Sequence, residues 1–123
     1  MTDRVSLPPL LLAYVGDAVF ELLVRARLVE GGAAPINRLH KQATAFTRAS
    51  GQAEALSNLE PFLNEKELEV VKRGRNTKSR IPKSAEMSEY RRATGLEALF
   101  GYLYLNGDWN RLHEFFAILY NKR

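Results

Sequence analysis

Two acids stand where acids are expensive. Asp17 lies within Tyr14-Val15-Gly16-Asp17-Ala18-Val19-Phe20-Glu21, and Glu97 within Thr94-Gly95-Leu96-Glu97-Ala98-Leu99-Phe100-Gly101. Both runs are otherwise mostly apolar, and a carboxylate leaves water at low cost only if a metal ion or another cation takes its charge. Between them runs Lys72-Arg73-Gly74-Arg75-Asn76-Thr77-Lys78-Ser79-Arg80-Ile81-Pro82-Lys83, a basic stretch suited to phosphates. Metal-binding acids beside a phosphate-binding surface are what a metal-dependent nuclease needs.

Each element of this constellation has a plainer reading. Asp17 and Glu21 lie four apart on one helical face, and Glu21 repeats that spacing with Arg25, so an intrahelical ion pair accounts for Glu21. Asp17 follows a mid-helix glycine, Gly16, which costs roughly 1 kcal/mol against alanine and makes sense if something bulky approaches the backbone there. Glu97 has Gly95 before it and Gly101 after it, and Thr94 on its face could supply a hydroxyl or hold a water. Two helices each presenting one inward acid beside glycines could share a cation. Carboxylate oxygens completed by waters suit Mg²⁺ or Mn²⁺. The competing arrangement is a buried acid bonded to a neighbouring helix or to Arg91 or Arg92, and spacing does not choose between them. His40 and His113 stand without a second His nearby and read as packing or surface residues.

The elements that must position these residues read as helices. Pro8-Pro9 opens a first helix that stops at Gly31-Gly32, with Leu12, Val15, Val19, Leu22, Leu23 and Ala26 as its apolar face. A second follows Pro35, with Leu39, Ala43 and Phe46 inward. Gly51 is expected to break the chain before a third over Gln52–Leu59, closed by Pro61. Asn64 and Glu67 form a capping-box pattern for a fourth, reaching about Arg73. The stretch from Gly74 to about Ala85 lacks an apolar period and reads as a loop. A long fifth helix carries Tyr90, Ala93, Leu96, Glu97, Leu99, Phe100, Leu103 and Tyr104 and ends at Asn106-Gly107. Asp108 caps the last, whose stripe is Trp109, Leu112, Phe116, Leu119 and Tyr120. The expected fold is all-α, one helical domain over residues 1–123.

Composition narrows the classes. A chain of 123 residues can build one domain with a real core. The absence of Cys excludes disulfides, a thiolate zinc site and a Cys nucleophile, and is compatible with a reducing cytosol. No run approaches the roughly 20 apolar residues of a membrane span, and no basic-then-apolar leader is expected at the N-terminus. The net charge of +4 is unevenly spread: Lys72 to Arg92 holds eight basic residues against two acidic ones. That concentration is either a polyanion-binding edge or a solvated basic loop. Walker, Gly-x-Ser-x-Gly and dinucleotide motifs are absent from the sequence.

The run Leu12 to Glu21 resembles the signature helix of the ribonuclease III catalytic domain, and Glu97-Ala98-Leu99-Phe100-Gly101-Tyr102-Leu103-Tyr104-Leu105 its second acidic helix. Lys72-Arg73-Gly74-Arg75-Asn76, Pro82-Lys83, Tyr90-Arg91 and Leu39-His40-Lys41 are similar to the Mini-III branch, a catalytic domain without the double-stranded-RNA-binding domain. Two positions depart from the longer family pattern: Ala13 replaces a glutamate and Thr94 an aspartate, leaving Asp17 and Glu97 as the acids that carry over. The resemblance implies a cytoplasmic, homodimeric, Mg²⁺-dependent endoribonuclease, with Mn²⁺ as a substitute ion. Asp17 and Glu97 would be both catalytic and metal-binding, with Tyr14 at the dimer interface. Lys72, Arg73, Arg75, Asn76, Lys78, Arg80 and Lys83 would bind RNA. The implied substrate is a duplex stem in precursor large-subunit (23S) ribosomal RNA, cut to 5′ phosphate and 3′ hydroxyl ends with a short 3′ overhang. A ribosomal protein presenting that stem is a further implied partner. The rival is a catalytically impaired RNA-binding assembly factor, which Ala13 and Thr94 keep open.

The basic stretch gives a first prediction. If it grips phosphates, Arg75→Ala with Lys78→Ala should weaken binding of any duplex sequence about equally, and the slope of log affinity against log salt should fall by about one unit per lost contact. A solvated loop predicts an unchanged slope in the same titration. Asn76→Ala should instead lower cleavage more than binding if that amide organises the loop.

Overall fold

The computed structural model describes residues 7–32, 34–77 and 87–121, and among these every regular element is helical. Six α-helices follow in order: α1 (Pro9–Glu30), α2 (Ile36–Thr47), α3 (Ala49–Leu59), α4 (Glu65–Arg75), α5 (Met87–Leu105) and α6 (Trp109–Asn121). A 3-10 turn, Glu60–Phe62, follows α3 and contains the expected helix-closing Pro61.

Local chemistry sets the ends. Pro9 occupies the first turn of α1, where a missing N–H costs nothing. The Asn64 side chain accepts from the Glu67 N–H at 2.9 Å while the Glu67 carboxylate accepts from the Asn64 N–H at 2.9 Å, completing the expected capping box of α4. At the end of α5 the Asp108 N–H bonds the Leu103 carbonyl and the Gly107 N–H bonds the Tyr104 carbonyl, a Schellman arrangement. Gly107 supplies its positive φ of 72°. Asp108 then accepts from the Arg111 N–H at the start of α6, as expected.

Helix α5 is the axis. Its Ala93, Gly95, Leu96, Ala98, Leu99, Phe100, Gly101, Tyr102 and Leu103 are buried, with α1, α3 and α4 packed along it and α6 against it as well. Phe20 of α1 meets Phe100 edge-on at 5.3 Å and Phe116 of α6 at 6.4 Å, geometries that place ring edges against ring faces. On the flank, Phe46 of α2 stacks on Tyr120 at 5.5 Å.

Glycines set how closely the axis is approached. A Cβ on Gly16 would overlap the Glu97 carbonyl oxygen and stand 2.7 Å from the Gly101 nitrogen, and one on Gly101 would overlap the Leu12 carbonyl oxygen. Helices α1 and α5 therefore cross backbone to backbone. Helix α4 repeats the device from another side: a Cβ on Gly74 would lie 3.0 Å from the Gly95 Cα.

The structure corrects several expectations. Gly51 does not break the chain; it is buried inside α3, which starts at Ala49, and a Cβ there would overlap the Ala45 carbonyl at the end of α2. Gly74 does not open a loop, because α4 runs on to Arg75 and needs Gly74 for its contact with α5. Leu22 and Ala26 are exposed while Phe20 and Val24 are buried, since α1 turns its Phe20 side to α5. In α6 it is Phe115, not Trp109, that is fully buried. The rest of the expected loop, residues 78–86, lies outside the described residues.

Close crossing makes Gly16 sensitive to a single methyl group. Gly16→Ala should destabilise the fold by on the order of 3 kcal/mol, since the intruding atom meets backbone that cannot rotate away. Gly31→Ala, whose Cβ would meet nothing nearer than 3.5 Å, serves as the tolerated control. Urea denaturation of the two variants checks this; equal midpoints would mean that the helices have room to spare.

Candidate active site

Asp17 follows Gly16 on α1 and Glu97 lies on α5 beside the same crossing, so the contact that excludes a Cβ at Gly16 also brings the two acids together. Asp17 is exposed and Glu97 half-buried, which leaves the pair open to a large ligand. Burial pushes the Glu97 carboxyl up to about 7 from its ordinary 4.5, helped by the charge of Asp17 and by a hydrogen bond between the two side chains. Gln52 opposes the rise: its Nε2 donates to Glu97 Oε2 at 3.4 Å, favouring the ionised form.

Two carboxyl groups side by side at the rim of a core could hold a hard divalent cation. Among the described residues no group of three or more His, Asp or Glu side chains gathers, so such an ion would keep most of its waters. The Thr94 hydroxyl donates its proton to the Tyr90 carbonyl on its own helix at 3.1 Å. Ala13 is buried. Glu21 takes the plainer of its two readings and pairs with Arg25 at 3.3 Å on the surface. Arg92 is not the partner of Glu97; it donates to Ser57 and to Glu60, the latter at 2.8 Å.

The basic candidates divide. Lys72 and Asn76 are exposed, whereas Arg73 donates to the Leu7 carbonyl at 3.2 Å and is partly committed to holding the start of the described chain. Half-buried Arg75 packs its stem near Gly95 and, with Asn76, Met87, Ser88 and Arg91, lines a cleft of about 390 Å³ between the end of α4 and the start of α5. Lys78, Arg80 and Lys83 lie outside the described residues. Tyr14, one turn from the acids, is 81 % exposed. A roomier apolar cleft of about 670 Å³ lies between the end of α1 and α2, lined by Leu28, Val29, Ile36 and Leu39 among others, and contains neither acid.

Gln52 escaped the sequence reading, although the argument that singled out the acids applies to it: a polar side chain flanked by Gly51, Ala53, Ala55 and Leu56. Equally unforeseen was the clamp in which Arg111 donates to both oxygens of buried Glu67 at 2.8 Å, to the Phe62 carbonyl at 2.9 Å and to Glu114 at 3.0 Å. That clamp is structural, raising the Arg111 pKa and tying α6 to the start of α4.

A Ribonuclease III domain family model matches residues 10–108. The chain belongs to the ribonuclease III family. Within that family it is similar to proteins named Mini-ribonuclease 3. One from Symbiobacterium thermophilum is 50 % identical over 93 % of this chain and 88 % of its own length. One from Clostridium tetani is 40 % identical over 97 % of this chain and 80 % of its own. A solved structure of a Fusobacterium nucleatum protein superposes with a TM-score of 0.88 at 28 % identity, covering 96 % of this chain and 98 % of that one. Ribonuclease III proteins are metal-dependent endoribonucleases that act on double-stranded RNA, and this Mini-III chain is an endoribonuclease.

The raised Glu97 pKa predicts a pH dependence. The folded state holds this proton more tightly than the unfolded chain, so the stability Glu97 contributes is complete below 4.5 and falls as pH rises toward 7. In EDTA, Glu97→Gln should therefore gain in melting temperature relative to wild type across that interval. Parallel melting curves at both ends of it would show that Glu97 is not strained.

Proposed function

We propose that this endoribonuclease cleaves double-stranded RNA with Mg²⁺, or Mn²⁺ in its place, using Asp17 and Glu97. What supports the reading most is the convergence of those two acids at the α1–α5 crossing. A divalent ion held there supplies charge stabilisation at the scissile phosphate and a more acidic water. Asp17, exposed on α1, and Glu97, half-buried on α5, are the residues that would hold such an ion. Lys72, Arg75, Asn76, Lys78, Arg80 and Lys83 lay the duplex across the site through phosphates and 2′-hydroxyls, the features an RNA helix offers a protein. Arg73, tied to Leu7, contributes charge with less reach. The products are a 5′ phosphate and a 3′ hydroxyl.

The protein acts as a homodimer, each subunit cutting one strand and leaving a short 3′ overhang. Leu11, Tyr14, Ala18 and Leu22 support this: they form an exposed, largely apolar row along α1 beside Asp17, and a two-fold contact would cover it. The biological substrate is a stem of precursor 23S ribosomal RNA in the cytoplasm, presented with the help of a ribosomal protein. No described helix is long and apolar enough to cross a membrane. The rival reading, an impaired assembly factor, drew on Ala13 and Thr94; the pairing of the two remaining acids weighs against it.

One set of assays tests the proposal. Wild type should sediment as a dimer and cut a long RNA duplex only with a divalent ion. Asp17→Asn should bind the duplex without cutting it, because a ligand charge is lost with little change in volume. Tyr14→Asp should run as a monomer and lose double-strand cleavage, since the symmetric contact buries the new charge twice. Cleavage by Asp17→Asn near the wild-type rate at saturating Mg²⁺ would remove the assigned site, and a monomeric wild type would remove the dimer.

A further inference from the structure

Apart from Tyr102, whose ring is mostly apolar, the buried side chains among the described residues that carry polar or charged ends are Glu67 and Gln52. Glu67 is fully employed by the α4 cap and by Arg111. Gln52, 3 % exposed on α3, spends its amide on Glu97, a partner 45 positions away on another helix. Burying an amide costs free energy that burying an apolar side chain would not, so its hydrogen bond is the feature that distinguishes it. Only Nε2 can donate to a carboxylate, which fixes the way the amide faces.

Glu97 needs such a partner. The companions that the longer ribonuclease III pattern has beside the two acids are Ala13 and Thr94 in this chain, and the Thr94 hydroxyl is turned back onto Tyr90. Neither can orient Glu97. Asp17 repels it when both are ionised. The geometry points to Gln52 as a positioning residue that holds Glu97 Oε2 from α3 and so presents the rest of that carboxylate, ionised, toward Asp17 and a divalent cation between them. Partners of this kind restrict a ligand's rotamers before the ion arrives, and removing them typically weakens metal affinity about 10- to 100-fold. Three helices then build the site: α1 and α5 supply the acids and α3 supplies the orientation. The inference rests on the reading of Asp17 and Glu97 as metal-binding acids, and its test separates the two.

Gln52→Met keeps the length of the side chain and removes the donor; Gln52→Leu removes the donor with a different shape. Two quantities are measured on each: Mn²⁺ affinity of the RNA-free protein by electron paramagnetic resonance, and the Mg²⁺ concentration giving half-maximal duplex cleavage. Both variants should weaken Mn²⁺ binding and raise the Mg²⁺ midpoint by about tenfold or more, while cleavage at saturating Mg²⁺ recovers most of the wild-type rate. Midpoints and Mn²⁺ affinities within roughly twofold of wild type would overturn the role, since the lost bond would not have been orienting a ligand. So would midpoint shifts that follow each variant's loss of melting temperature, because packing alone would then explain them. Glu97→Gln run alongside distinguishes the failures. If it is inactive and binds no Mn²⁺ while the Gln52 variants behave as wild type, only the positioning role falls. If it cuts and binds Mn²⁺ normally, the assignment of the acids falls first.

Discussion

Everything at the site depends on two helices touching through their backbones. Gly16 and Gly101 remove the side chains that would keep α1 and α5 apart, and the next residue after Gly16 is Asp17. With ordinary side chains at the contact, helix axes stand about 8–10 Å apart; here backbone meets backbone instead. The glycines cost helix propensity at both positions. That cost is offset by the close packing around Phe20 and Phe100 immediately beyond the crossing.

Such a contact also sets two acids side by side. Packing forces indifferent to charge bury Glu97 and set Asp17 beside it, and the burial first, the neighbouring charge second, make Glu97 hold its proton to higher pH. Elsewhere in the same molecule a buried acid is handled in the opposite way. Glu67 has Arg111 against both its oxygens and accepts from the Asn64 N–H, so its charge is satisfied within the protein. The contrast between these two glutamates separates an acid paired with a cation inside the protein from one whose nearest charged neighbour is another acid.

Much of this was legible beforehand, and the misses share a cause. Helix ends written in local chemistry were read correctly at Pro9, Asn64, Gly107 and Asp108, because the cap and its partner lie within a few residues. Gly51 and Gly74 were misread as breaks because their purpose is tertiary: each makes room for another helix that sequence proximity does not reveal. The buried face of α1 was drawn too close to Leu22 for a related reason. Helix α5 is buried nearly all round, so no single stripe shows which neighbour belongs on which side. Asp17 and Glu97 stood out as acids among apolar residues, whereas Gln52, neutral and on a third helix, drew no attention although the same reasoning covers it.

The crossing of α1 with α5 also has a consequence in time. Its two glycines lie near opposite ends of the chain, and α5 has to be in place before α1 can bury Phe20 and Val24. Helical proteins usually fold quickly because their contacts are local; here the central contact closes a loop of most of the polypeptide, and refolding slower than that of an ordinary helical bundle is the expected signature. On the ribosome the first helix emerges with an apolar inner face, and with Leu11, Tyr14 and Leu22 on its outer one, long before its partner is made. In that interval only its lesser contacts with α2 and α4 can form, and the face meant for α5 stays open to wrong associations.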